Sequence, residues 1–178
     1  MVNYLCGYPK MKLLFLIITM FIPFYGYAQK PINCNEFWKI ISHIDQKALA
    51  NQDDSKAVKP LVSLLSSKQE NTIKQFHKCL SHYLYVIDGK KWAKETGKSG
   101  DSDDGFLYAR SYVVAKGKEH YNKVVKNPAL MPKNEEWAES LLYVAGQAWA
   151  NVTKNNQDDF DAIVDAVSYE TGSNTKQW

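Results

Sequence analysis

Within Asp101-Ser102-Asp103-Asp104-Gly105-Phe106, three carboxylates fall in four residues, a density that can hold a hard cation. The EF-hand loop does not fit. With Asp101 at its first position, glycine comes fifth instead of sixth, and Tyr112 stands where the bidentate glutamate belongs. The plainer reading is a helix start. Ser and Asp oxygens accept the free N–H groups of a first turn, and acids there complement the helix dipole.

Arg110 is the sharper oddity, as the only arginine in the chain. At helical spacing it shares a face with Phe106, Val113 and Val114, which predicts at least partial burial. A buried guanidinium needs a carboxylate, and its planar fork suits a bidentate pair that lysine cannot copy. Asp103, Asp104 or an acid on another helix can supply it. The pair then either locks helix to helix or forms an anion site beside the acidic turn. A ligand or partner site there would draw on Asp101, Asp103, Asp104, Arg110 and Tyr112.

The remaining chemistry-bearing residues form no complete constellation. His77 and His82 are five apart, and there is no H-E-x-x-H. Cys79 and His82 share a helix face, but two ligands are not a metal site. His77 sits on an apolar stripe and reads as a core histidine. Neither a G-x-S-x-G elbow nor a phosphate-binding glycine loop is present. No metal and no cofactor is therefore expected, and the spacing identifies no catalytic residue. Lys90–Lys98 holds four lysines around Trp92, which reads as a solvated loop anchored by a tryptophan. Nucleic acid is not an expected partner, because that would demand several phosphate contacts.

These residues sit in a chain of 178, with 45% apolar and 23% charged residues and a formal charge of +3. That suffices for one domain and argues against disorder. Residues Met1–Ala28 carry Lys10 and Lys12, no acid, an apolar run Leu13–Phe24, then Gly26-x-Ala28. This is the pattern of a cleaved secretory signal peptide, with Met11 as an alternative start. The run is too short for a spanning helix, so no stable membrane span is expected after cleavage. The mature chain from Gln29 holds 20 basic and 19 acidic residues, leaving a charge of +1. It is expected to be exported, in the periplasm or secreted. Cys34 and Cys79 then form either a disulfide or two buried thiols.

The mature chain reads as helices throughout. Asn35 caps a first helix with Phe37, Trp38, Ile40 and Ile41 inward, and a short second helix holds Val58, Leu61, Leu64 and Leu65, with Pro60 in its first turn. A capping box Ser67–Glu70 opens a helix with Ile73, Phe76, His77, Leu80 and Leu84 on one side, ended by Asp88-Gly89. After the Lys90–Gly100 loop, the acidic turn starts the Arg110 helix. Gly117 and Asn127-Pro128 bound another, carrying Tyr121, Val124 and Val125. Asn134-Glu-Glu136 starts a long helix with Trp137, Leu141, Val144, Ala145, Ala148 and Val152 inward, and Asp158-Asp159 a last one with Phe160, Ile163, Val164 and Val167. No stretch alternates like a strand. The expectation is an all-α fold, a single compact domain over 29–178 with six or seven helices.

Phe37-Trp38-x-Ile40-Ile41, Ser102-Asp-Asp-Gly-Phe106-x-x-x-Arg110, Gly117-Lys-x-x-Tyr121, Asn127-Pro128 and Tyr143-x-Ala145-x-x-Ala148 together resemble the bacterial domain-of-unknown-function 4240 family. The resemblance covers about 33–154. It implies a single all-helical domain and marks Trp38, Asp103, Asp104, Phe106 and Arg110 as the family's signature, which adds Trp38 to the candidate site. It implies no activity. The approach to the acidic turn is polar here, where members have an apolar, Gly-Gly-Cys-like one, and members tend to lack a leader. The sequence favours a non-enzymatic module that binds another protein, with an immunity-type role as one form. The alternative is a small enzyme or ligand-binding domain with its site at the acidic turn and Arg110.

Overall fold

A computed structural model describes residues 34–178. The leader expected over Met1–Ala28 lies outside the described residues. Within them the chain is all-α, as expected. Eight α-helices take the place of the expected six or seven: α1 (Asn35–Ile41), α2 (Gln46–Ala50), α3 (Asp54–Ser66), α4 (Glu70–Val86), α5 (Lys90–Ala93), α6 (Asp103–Ala115), α7 (Lys118–Lys126) and α8 (Ser140–Thr153). Two of the additional helices, α2 and α5, are only five and four residues long.

The periodic stripes become the core. Ile73, Phe76, His77, Leu80 and Leu84 of α4 are buried, as are Phe106, Arg110, Val113 and Val114 of α6, and Leu141, Val144, Ala145 and Ala148 of α8. α8 packs mainly along α3 and also against α4, while α6 packs on α4 and α7. Gly117, at φ 94°, turns the chain between α6 and α7 in the left-handed region that glycine enters without a steric penalty. Trp92 of α5 is buried, and its indole N–H donates to the Val124 carbonyl at 3.2 Å. The lysine-rich segment is thus held by its tryptophan.

Several helix ends differ from expectation. α1 is capped at Cys34, not Asn35. Cys34 is joined by a disulfide to Cys79 of α4, with the Cα atoms 5.7 Å apart. α3 starts at Asp54, with Asp53 capping the N–H of Lys56, so Pro60 lies inside the helix and not in its first turn. Ser67 closes α3 through its hydroxyl to the Leu64 carbonyl, and α4 starts from Gln69 without a capping box. α8 begins at Ser140 instead of Asn134, because the Asp54 carboxylate of α3 accepts from the Ser140 N–H at 2.7 Å. Trp137, left outside the helix, is exposed, as is Val152 near its far end.

The last expected helix is absent. Beyond α8 the chain makes 3₁₀ turns at Gln157–Asp159 and Asp161–Ile163 and then runs without regular structure to a final turn at Thr175–Gln177. Phe160 is buried against Trp149 and His77, but Ile163 and Val167 face solvent. Two apolar residues inward do not make a helical stripe.

His77 is buried, but its Nδ1 has no partner, and its Nε2 lies 3.6 Å from the exposed Asp161 carboxylate. Burial lowers its pKa from the ordinary 6.5, and Asp161 partly opposes this.

Two outcomes follow from these contacts. Reducing the Cys34–Cys79 bridge, whose cysteines are 45 residues apart, should cost about 4 kcal/mol by loop closure. Urea melts with and without reductant measure it, and identical midpoints would refute it. The folded chain takes up the His77 proton at lower pH than the unfolded chain. Stability should therefore decline as pH falls below about 6.5 and level off once the folded group is protonated. His77→Phe should flatten that part of the pH–stability curve. A wild-type curve running parallel to the variant's would assign the decline to other groups.

Candidate functional site

The acidic turn is built locally. The Ser102 hydroxyl caps α6 by accepting from the Gly105 N–H at 3.1 Å. A side chain at Gly105 would put its Cβ 2.7 Å from the Ser99 carbonyl, so the motif's glycine is required by close backbone approach. Asp101, Asp103 and Asp104 all point outward and are exposed. They do not meet the guanidinium that follows them.

Arg110, at 0% exposure, faces inward from α6. Its fork is divided among three partners. One NH donates to the Leu84 carbonyl at 2.9 Å. The other donates to the Thr171 hydroxyl at 3.1 Å and stands 3.9 Å from the Asp88 carboxylate. The Phe106 ring lies 4.8 Å from the guanidinium carbon, and Nε has no partner. Burial lowers the Arg110 pKa to about 10, with Asp88 opposing the shift, so the group keeps its charge at neutral pH.

Asp88, just past the end of α4, is also 0% exposed. The sequence reads it as half of a helix stop, and no local signal marks it as the arginine's partner. Its carboxylate accepts from the Asn174 N–H at 2.8 Å, the Trp178 indole at 3.0 Å, the Gly172 N–H at 3.2 Å and the Ser173 hydroxyl at 3.3 Å. All four donors come from the C-terminal segment. The Thr171 hydroxyl in turn donates to the Asp103 carbonyl at 2.7 Å. The acidic turn thus touches the arginine network through its backbone, not its carboxylates.

The other two candidates sit elsewhere. Trp38 packs on Tyr83 of α4 at 4.6 Å and on Tyr121 of α7 at 5.4 Å between ring centroids. Tyr121 donates to the Tyr83 carbonyl at 2.9 Å, so this is an aromatic joint between helices. Tyr112 lines an open cleft with residues of α7 and the segment after it. Among the described residues, no group of three His, Cys, Asp or Glu side chains is placed to hold a metal. None of their helices is long and apolar enough to cross a membrane.

A different surface gathers around the outward acids. Tyr108, Trp137 and Tyr143 meet beside Asp104. The Tyr108 and Trp137 rings are 5.9 Å apart, and the Tyr143 hydroxyl donates to Glu139 at 3.2 Å. Trp137 is 38% and Tyr143 45% exposed. Burial raises the Tyr108 pKa to about 12, and the carboxylates of Glu139 and Asp104 add to it. Burial, Glu139 and Asp104 also raise Tyr143. Burial raises Tyr169 to about 12, with Asp161, Glu170 and Tyr143 adding to it. Asp104 and Glu139 thus set two carboxylates beside the exposed rings of this face. Sequence reasoning misses this face, because Trp137 and Tyr143 lie on segments it assigns to one continuous helix.

The family model described as "Protein of unknown function (DUF4240)" matches residues 33–151. No curated protein and no solved structure matches the chain.

Breaking the buried pair on one side should be severe. Asp88→Ala leaves an uncompensated buried guanidinium and should cost about 3–5 kcal/mol. Arg110→Lys keeps a charge but cannot span Leu84, Thr171 and Asp88 together, and should also destabilise. Denaturant unfolding measures both. A loss below about 1 kcal/mol for Asp88→Ala would show that the pair contributes no more than an exposed one.

Proposed function

Since the chain belongs to the domain-of-unknown-function 4240 family, whose model covers 33–151 and carries no activity with it, we propose that it is an exported, non-enzymatic protein-binding domain. Its contact face is the surface of Asp104, Tyr108, Trp137, Glu139 and Tyr143, and its partner is a cationic protein. The observation that carries this reading is the pairing of exposed aromatic rings with carboxylates on one face. Tyr and Trp supply large contact area at low entropic cost and dominate the energetic centres of interfaces. Carboxylates around them steer a basic partner and reject acidic ones. An immunity-type role, in which the partner is a basic toxin neutralised outside the cytoplasm, is one form of the same reading.

A ligand site at Arg110 and the acidic turn has less support. The guanidinium has no exposed surface, and its donors are directed to Leu84, Thr171 and Asp88. A charged group that seals helix to tail is not free to bind an anion. Export is supported by the leader pattern and by the suitability of Cys34 and Cys79 for an oxidising compartment.

Export predicts that protein recovered from the periplasm or medium begins at Gln29, and a chain kept in the cytoplasm with its leader intact refutes it. Binding is tested with a photo-crosslinking residue at Tyr143 and, as a control, at Lys126. A partner captured at 143 and not at 126 should be basic. It should dissociate as salt rises and be lost with Asp104→Lys/Glu139→Lys. A partner that is acidic, or that is captured equally at both positions, overturns the proposed face.

A further inference from the structure

We infer that the cleft between the end of α6 and the segment after α7 binds a small zwitterion, an α-amino acid with an apolar side chain. The cleft is open to solvent and encloses about 390 Å³, within the usual range of small-molecule sites. Its residues fall into three groups. Lys116 and His120 bring cationic and hydrogen-bonding nitrogen to one part. Glu136 brings a carboxylate, and burial together with this carboxylate raises the pKa of the Tyr112 hydroxyl. Leu130, 44% exposed, brings apolar surface.

The availability of these groups follows from what each already does. Lys133 also borders the cleft, but its ammonium is taken by the Glu95 carbonyl at 2.6 Å and the Glu95 carboxylate at 2.8 Å. Lys116 makes no ion pair among the described residues. Its Nζ lies 5.9 Å from the centroid of the Tyr112 ring. His120 is half-buried. Burial, Lys116 and Lys123 together lower its pKa, and Glu136 partly opposes them, so the ring is neutral at pH 7 and presents both a donor and an acceptor. Lys123 itself is paired with Glu119 at 3.0 Å. The free cation facing the cleft is therefore Lys116, and the carboxylate available to a ligand is Glu136.

A ligand that satisfies this arrangement needs an anionic end for Lys116 and His120, a cationic donor for Glu136, and an apolar body for Leu130. A simple carboxylate would leave Glu136 opposed to it, and a simple amine would leave Lys116 opposed to it. Unpaired like charges reject such ligands as strongly as matched ones attract the right one. An α-amino acid carries both charges on one carbon with the side chain beside them. The cleft shares no residue with the aromatic acidic face, so it stands or falls apart from the protein-binding reading.

The test is an NMR titration of the isotopically labelled, disulfide-bonded protein with leucine and phenylalanine, and with their N-acetyl and carboxamide derivatives. Saturable shifts at Tyr112, His120, Leu130 and Glu136 are expected with the free amino acids. Each blocked derivative should bind about tenfold more weakly, as should Lys116→Met and Glu136→Gln, each change removing one charged contact. These are surface substitutions, and an unchanged spectrum elsewhere confirms that the variants remain folded. No shift at these residues at millimolar amino acid overturns the site. Blocked derivatives that bind as tightly as the free ones overturn its zwitterionic character.

Discussion

The Arg110 guanidinium and the Asp88 carboxylate are both withdrawn from water, and at 3.9 Å their mutual attraction is not enough to offset that. What makes the arrangement stable is the set of groups around them. Leu84 and Thr171 receive the guanidinium, and four donors from residues 172–178 surround the carboxylate. A half-satisfied buried network is worse than an apolar core, so the network commits the chain to a particular arrangement. α4 must end where Asp88 can turn inward, α6 must present Arg110 at that height, and the last residues must return across both. The family match stops at 151, yet the donors that complete this network lie beyond it.

Burying the only arginine redistributes the surface chemistry. The residue best suited to grip an anion becomes a structural cross-brace, and the aspartates beside it in sequence are left facing solvent. Of these, Asp104 joins Glu139 and the exposed rings of Trp137 and Tyr143 in an acidic aromatic face. The small formal charge of +3 over the whole chain conceals this unevenness. Whole-chain charge says nothing about local patches of either sign.

Helices whose cores are strongly periodic are readable in advance. The buried stripes of α4 and α6 follow directly from their spacing of three and four. Helix ends are not. The Ser-x-x-Glu pattern at Ser67–Glu70 is a capping box on paper, but Ser67 closes the helix before it. α8 begins four residues from Glu136 because an aspartate from α3 reaches its first N–H. A local motif predicts a cap only when no other group competes, whether three residues away as for Ser67 or distant in the chain as for Ser140. The C-terminal segment is misread for a related reason. Its apolar residues suit a helix, but its backbone N–H groups bind a carboxylate that only the folded chain brings near.

The all-helical class, the inward face of each long helix and the burial of Arg110 were set by residue type and period, because periodicity is a property of the chain itself. The need of that arginine for a carboxylate also followed from its chemistry. Which carboxylate was decided only by tertiary structure, because Asp88 lies 22 positions before Arg110 in sequence and its remaining partners lie at the far end of the chain. The same holds for Trp38, Tyr112 and the acidic turn. Their residue types made one candidate site plausible, but three-dimensional packing assigned them to an aromatic joint, a cleft and an exposed face. Side-chain chemistry states what each group requires, and only the packed fold determines which group meets that requirement.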